Sequence, residues 1–292
     1  MDKKIKTVGL FGKFQDQTVV EHILQLEEFL LGRKLKTLLD QSATGHLKGA
    51  KSPIRPRDAI GREIDLAIVI GGDGTLLNVA RDLAPLRVPI IGVNLGRLGF
   101  LADVQAEHMI AEIGKILDGD FQTETRLLLH AEVMRKGRIV HNASAFNDVI
   151  VSKGELARMI EFETYIDGEF VHSIRGDGII VASPTGSTAY ALSAGGPILH
   201  PALEAIAVVP ICPHTLSNRP IVFSSDSIVE ILMTRIADQH AYASFDGQST
   251  FTLQDNDRVY VRRAETEVEL VHPSGRSHFE VMRIKLHWGR KI

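Results

Sequence analysis

The sequence predicts an α/β N-terminal domain with a doubly wound, mostly parallel sheet, followed by a β-rich C-terminal domain. Three observations carry this prediction. Up to residue 120, short apolar runs alternate with stretches of helical periodicity, the pattern of strand-helix repetition. Leu66-Ala67-Ile68-Val69-Ile70 is an unbroken apolar run, as expected of a strand covered on both faces. Beyond residue 120 the texture changes to paired β-like runs around Lys136-Gly137 and Asp167-Gly168, dipeptides suited to positive φ in hairpin turns.

Taken in order, residues 8–11 read as a short buried strand ending at Gly12. Thr18-Val19-Val20-Glu21 fits a capping box that opens a helix with Val19, Val20, Ile23, Leu24, Leu30 and Leu31 on its apolar side, and Gly32 is placed as its stop. Residues 35–39 form a second strand candidate. After the run at 66–70, a helix is expected from Thr75 to about Ala84, closed by Pro85, then a strand over 88–93 and an amphipathic helix over 106–117 ending at Gly119. In the second half, 127–133 pairs with 138–141, and 160–166 with 169–172. Further β-like runs fall at 179–182, 220–223, 227–233 and 257–262, with one helical insert near 188–192. The charged run 265–269 alternates with Val268 and Leu270 like an exposed strand edge. This divides the chain into an α/β domain over 1–122 and a β-rich domain over 123–274.

Composition narrows the function classes. A chain of 292 residues can bury a sizeable core, and 44% hydrophobic with 24% charged residues is the make-up of a soluble globular protein. A net charge of −3 supplies no broad basic field for nucleic acid or an anionic membrane, so neither is an expected partner. One cysteine, Cys212, makes neither an intrachain disulfide nor a cysteine metal site. The start, Met1-Asp2-Lys3-Lys4 and one short apolar run, lacks a targeting signal or a membrane span, and a cytoplasmic protein is expected. The twelve histidines show no metal-ligand spacing.

Three segments carry chemistry. Gly71-Gly72-Asp73-Gly74-Thr75 lies between a buried strand and a helix. Its glycines let backbone N–H groups approach a phosphate chain, and the helix N-terminus favours the same anion. The plainer alternative is a tight turn in which Asp73 caps the helix. The loop has neither the Walker A lysine nor the spacing of a dinucleotide fingerprint. Asn94-Leu95-Gly96-Arg97-Leu98-Gly99-Phe100-Leu101 follows the next buried strand, where open α/β sheets place ligands; alone it reads as a glycine-rich connection. Ser183-Pro184-Thr185-Gly186-Ser187-Thr188-Ala189-Tyr190, then Ser193-Ala194-Gly195-Gly196-Pro197, crowds small hydroxyl residues and glycine at a strand-to-helix turn. Ser187 or Thr188 is a plausible cap there. Tyr190 offers a ring that stacks or donates a hydrogen bond, although a core tyrosine is the competing reading. Ser187 lacks a nucleophile-elbow pattern, so no hydrolase is expected.

These segments, with Asn147-Asp148, Asp177-Gly178 and Asp246-Gly247-Gln248, resemble the motifs of the ATP-NAD kinase family of bacterial type, in the family's order. Gly-Gly-Asp-Gly-Thr is shared with diacylglycerol and sphingosine kinases; Thr-Gly-Ser-Thr-Ala-Tyr singles out NAD kinases. The resemblance implies a site in the crevice between the two domains, the return of 275–292 to the first domain, and a homodimer or homotetramer. It implies NAD and ATP as substrates, phosphoryl transfer to the 2′-hydroxyl of NAD's adenosine ribose, and Mg²⁺ or Mn²⁺ held chiefly by phosphate oxygens rather than by protein ligands. Asp73 is then the catalytic proton acceptor, and Gly71, Gly72, Gly74 and Thr75 cradle ATP phosphates. Asn147 and Asp148 bind ribose hydroxyls. Thr188, Ala189, Tyr190, Ala191, Leu192 and Ser193 wall the adenine side. Asp177, Asp246, Gln248 and Phe100 lie toward the nicotinamide, and Arg158 and Arg175 are candidates for the pyrophosphate or ribose. Gly74 and Asp73 also touch NAD. The family often has Asn-Glu where this chain has Asn147-Asp148, a carboxylate one methylene shorter. Two rival readings remain at this point: a lipid or sphingoid-base kinase, which needs an apolar acceptor pocket, and a non-catalytic nucleotide-binding regulator, which has no need of Asp73.

Overall fold

The computed structural model describes residues 5–96, 99–154, 159–215, 217–236 and 240–288. The chain forms two compact units, Met1–Thr125 with Val268–Ile292, and Arg126–Glu267.

In the first unit the strands Ile54–Arg55, Lys36–Asp40, Thr7–Gly12, Leu66–Ile70 and Ile90–Asn94 lie side by side in that order, all parallel. Val104–Gln105 pairs with the end of the last of these, and Leu270 lies parallel beside Ile90. The chain thus steps outward in one direction, returns, and continues on the other side of Thr7–Gly12, which is doubly wound topology. All five residues of Leu66–Ile70 are buried. On one face, Val8, Leu10, Leu66, Ile68, Ile91 and Val93 pack with Val19, Ile23, Leu26 and Leu30 of helix Gln17–Gly32 and with Met109, Ile113 and Ile116 of helix Met109–Leu117. The other face lies against helix Asp73–Leu83, so tightly that a Cβ on Gly92 would sit 2.6 Å from Leu76 Cδ1.

Several element ends differ from the sequence expectation. The first helix is capped by Asp16, whose carboxylate accepts the Thr18 N–H at 2.9 Å, rather than by Thr18. An aspartate caps at least as well as a threonine, and the earlier start adds the helical bond from Val20 N–H to Asp16 O at 3.1 Å. Gly32 ends the helix, but the left-handed residue is Lys34, which lets Leu35 N–H reach back to Leu30 O at 3.1 Å. The stretch 106–117 is a 3₁₀ turn, Ala106–His108, leading into Met109–Leu117. Helices Arg57–Glu63 and His278–Leu286 had no sequence expectation.

The second unit is β-rich. Strands Ile221–Ser224, Ala205–Ile211, Gly178–Ala182, Asp148–Lys153, Ala241–Phe245 and Ser249–Leu253 form one antiparallel sheet in that order. Glu169–Gly176, Ile160–Ile166, Val229–Arg235 and residues 258–261 pair antiparallel in a second set. Inward residues of both sets, among them Val149, Val151, Phe162, Ile179, Val208, Ile231 and Val259, share one core. Both expected hairpins form, and their turn residues Lys136, Gly137, Asp167 and Gly168 all take positive φ. The expected strand at 257–262 is the first part of the longer Arg258–Pro273. The helical insert is smaller than expected, a 3₁₀ turn at Gly186–Thr188 followed by Tyr190–Ser193. Neither Ser187 nor Thr188 caps it. The Ser187 hydroxyl instead donates to Pro184 O at 2.6 Å and accepts the Leu199 N–H at 3.0 Å. Among the described residues no helix is long and apolar enough to cross a membrane.

Candidate active site

In the first unit, Leu66–Ile70 and Ile90–Asn94 are parallel neighbours, with Ile70 paired to Val93, so their two glycine loops leave the same edge of the sheet. Gly71 N–H donates to Val93 O at 2.9 Å, and a Cβ on Gly71 would meet Thr75 Oγ1 at 2.9 Å. Helix Asp73–Leu83 begins directly, with Gly72, which has no side chain to offer, at the cap position. Asp73 is therefore not the cap. Its carboxylate crosses to the neighbouring loop, where Oδ2 accepts the Phe100 N–H at 3.0 Å and Oδ1 accepts those of Leu101 at 3.2 Å and Ala102 at 3.3 Å. Gly99 has to be glycine for this approach, since a Cβ there would lie 2.3 Å from Asp73 Oδ1. Gly72 and Gly74 are exposed, and Thr75 and Phe100 are half-buried. Arg97 and Leu98 lie outside the described residues.

The outer side of the same loop is held by side chains that had no sequence expectation. Arg276 donates from Nη2 to Phe100 O at 2.9 Å and from Nη1 to Glu124 Oε2 at 2.8 Å, and its Nε pairs with Asp103. Buried His272 lies between the two carboxylates, 2.9 Å from Asp103 and 3.4 Å from Glu124. The one available signal was Asp103 itself, a charge set directly after the apolar run that follows the glycines.

In the second unit, Asp246 plays a part like that of Asp73. It sits at a hairpin turn with φ 52°, and its carboxylate accepts the N–H groups of Phe146 at 2.9 Å, Asn147 at 2.7 Å and Asp148 at 3.2 Å. Against the segment so pinned lies the small-residue turn. Ser183 N–H donates to Asn147 O at 2.9 Å and the Ser183 hydroxyl to Phe146 O at 2.6 Å. Gly186 rests on the Asn147 backbone, where a Cβ would lie 2.0 Å from the carbonyl oxygen. Buried Arg126, also unforeseen, donates to Thr185 Oγ1 at 3.2 Å.

Asn147 is half-buried, and no described residue hydrogen-bonds its carboxamide. Asp148 is 3% exposed. No described residue hydrogen-bonds its carboxyl group. Burial, and secondarily the negative charge of Asp246, push its pKa up to about 7. A carboxyl group in this state can either donate or accept a hydrogen bond near neutral pH.

The remaining candidates are distributed along the same unit. Thr188 donates its hydroxyl to Thr185 O at 3.2 Å, and Ala189 is half-buried. Tyr190 is 46% exposed, so core packing does not account for it. Ala191 is buried, Leu192 half-buried and Ser193 exposed. Asp177 pairs with Lys153 Nζ at 2.6 Å. Arg175 is exposed, with Nε 3.8 Å from Glu161 Oε1, and Gln248 is also exposed. Arg158 lies outside the described residues.

A doubly wound unit with two tied glycine loops, carried in one chain with an antiparallel β unit, puts the chain in the class of two-domain α/β-plus-β proteins whose glycine loops leave the carboxyl ends of parallel strands. The chain belongs to the ATP-NAD kinase family: residues 8–121 match the ATP-NAD kinase N-terminal domain, and residues 146–273 its C-terminal domain. It is 48% identical over 286 residues to the NAD kinase of Thiobacillus denitrificans, covering 98% of each chain. It is 44% identical over 292 residues to that of Laribacter hongkongensis, covering all of both. An NAD kinase from Archaeoglobus fulgidus, solved with ATP, superposes with a TM-score of 0.73 at 26% identity over 95% of this chain and 99% of that one. Yeast NADH kinase, solved with NADH, has the same fold, with a TM-score of 0.88 at 23% identity over 100% of this chain and 90% of that one.

Proposed function

We propose that this protein is an NAD kinase that transfers the terminal phosphoryl group of ATP to the 2′-hydroxyl of NAD's adenosine ribose, with Asp73 as proton acceptor. The observation that supports this most is the state of the Asp73 carboxylate. Each carboxylate oxygen has two lone pairs. Oδ1 accepts two N–H groups and Oδ2 only one, so Oδ2 keeps a lone pair for a hydroxyl proton while the group is held rigidly. Phosphoryl transfer through a loose transition state asks for a hydroxyl that is oriented and loses its proton late, which an ionised aspartate can serve.

Gly71, Gly72, Gly74 and Thr75 take the ATP phosphates at the start of a helix whose cap residue is Gly72, where the dipole favours anions. A divalent cation, Mg²⁺ or Mn²⁺, would be held chiefly by phosphate oxygens and would supply neutralisation of the developing charge. Asn147 and Asp148 bind the ribose hydroxyls. Asp246 serves them from behind, through the three N–H groups it holds. Thr188 to Ser193 line the adenine side, with Tyr190 free to stack. Asp177, Gln248 and Phe100 serve the nicotinamide end, and Arg158 and Arg175 the pyrophosphate or ribose. The working form is a homodimer or homotetramer in the cytoplasm.

Purified protein with NAD and ATP·Mg²⁺ should form NADP, scored by an NADP-specific dehydrogenase; parallel reactions with NADH and with polyphosphate define acceptor and donor range. Absence of NADP under all donors would overturn this function.

A further inference from the structure

Phe100-Leu101-Ala102-Asp103 is gripped from two sides. On one side its three N–H groups converge on Asp73. On the other, Arg276 binds the Phe100 carbonyl oxygen at 2.9 Å through one nitrogen and pairs with the Asp103 carboxylate through another. The guanidinium is itself immobilised, because its remaining terminal nitrogen donates to Glu124 at 2.8 Å and buried His272 stands between Asp103 and Glu124. Its backbone carbonyl also accepts from Gln122 Nε2 at 3.2 Å. A planar guanidinium fork suits this arrangement, because its two terminal nitrogens donate to a carbonyl and a carboxylate while Nε forms an ion pair with the second carboxylate.

A carboxylate held only by backbone N–H groups is placed no better than that backbone. We propose that Arg276 is a positioning residue for phosphoryl transfer: by fixing the Phe100 carbonyl and Asp103, it sets the amide plane and loop position on which Asp73 is held. The proposal rests on Asp73 being the proton acceptor. Its charge partners are all accounted for within the cluster, so the guanidinium has no need of a substrate contact. Loss of the fork therefore affects the step in which Asp73 acts more than the binding of either substrate. Misplacement of a reacting group by about 1 Å costs on the order of a hundredfold in rate.

A double-mutant cycle tests this. Arg276→Gln is expected to lower kcat roughly tenfold to a hundredfold, with KM for ATP within about twofold of the parent and KM for NAD, which Phe100 also serves, raised by a smaller factor than kcat falls. It should also speed hydrogen exchange at the amides of Phe100, Leu101 and Ala102. In an Asp73→Asn background the same substitution should change the residual kcat less than about threefold, because the group it positions is already gone. A full, additive loss of kcat in that background, or unchanged kcat and unchanged exchange for Arg276→Gln alone, overturns the proposal. If Asp73→Asn itself retains parental kcat, the function assigned to Asp73 fails, which is a separate result. Should Arg276→Gln not fold, Arg276→Lys carries the same cycle, since it keeps the positive charge near Asp103 and Glu124 but loses the fork that reaches Phe100.

Discussion

Asp148→Asn should stabilise the protein, and by an amount that grows with pH. The carboxyl group of Asp148 is buried beside Asp246 and titrates at about 7, against 3.8 for the unperturbed group. Between those values the folded chain holds a proton that the unfolded chain has released, so stability falls as pH rises through this window. At about 1.36 kcal/mol per pH unit the full penalty is roughly 4 kcal/mol above pH 7, an upper bound because entry of water relieves it. About 1–2 kcal/mol of it is already present at pH 5, leaving roughly 2–3 kcal/mol to develop between pH 5 and pH 8. The asparagine side chain has nearly the same shape and does not ionise, so it escapes the penalty. For a unit of this size the gain in Tm over the parent should be larger at pH 8 than at pH 5 by roughly 5–10 °C. Scanning calorimetry of both proteins at the two pH values is the assay. An equal Tm difference at both would show that Asp148 does not titrate in the folded state as its burial implies.

Other outcomes follow from the same geometry. Asn147→Ala should raise KM for NAD roughly threefold to tenfold and leave KM for ATP nearly unchanged, the value of one neutral hydrogen bond, read from initial-rate kinetics. Tyr190→Ala should weaken NAD binding by about 1 kcal/mol or more by calorimetric titration, with only a small change in Tm because the ring is half in solvent. Gly186→Ala should cost about 1–3 kcal/mol or more by chemical denaturation, because the new methyl group meets the Asn147 carbonyl. Unchanged stability would mean that the turn does not rest on that backbone.

The sequence was most legible where chemistry and backbone geometry coincide. Leu66–Ile70 was readable to the residue because a strand covered on both faces leaves no polar position to blur its ends. Both hairpin turns were readable because Lys136-Gly137 and Asp167-Gly168 suit φ > 0. Strand Ser249–Leu253 was not. Its polar, largely exposed residues carry little periodicity, and it is held by a hairpin with Ala241–Phe245, which is itself paired to the distant Asp148–Lys153. The same limit applies in the site. Asp73 and Asp246 stand out as residues, but nothing local reveals that each carboxylate holds three N–H groups of a loop 27 or about a hundred positions away. Arg276, 176 residues from its carbonyl partner, was hidden for the same reason.

The most direct test of this account is the single-turnover rate of Asp73→Asn at saturating NAD and ATP·Mg²⁺. The amide keeps the size of the side chain and an acceptor oxygen, but cannot take a proton. The rate should fall at least about a hundredfold, within the range typical of a lost general base, while the Kd for NAD stays within about threefold of the parent. Turnover close to that of the parent would contradict the role given to Asp73.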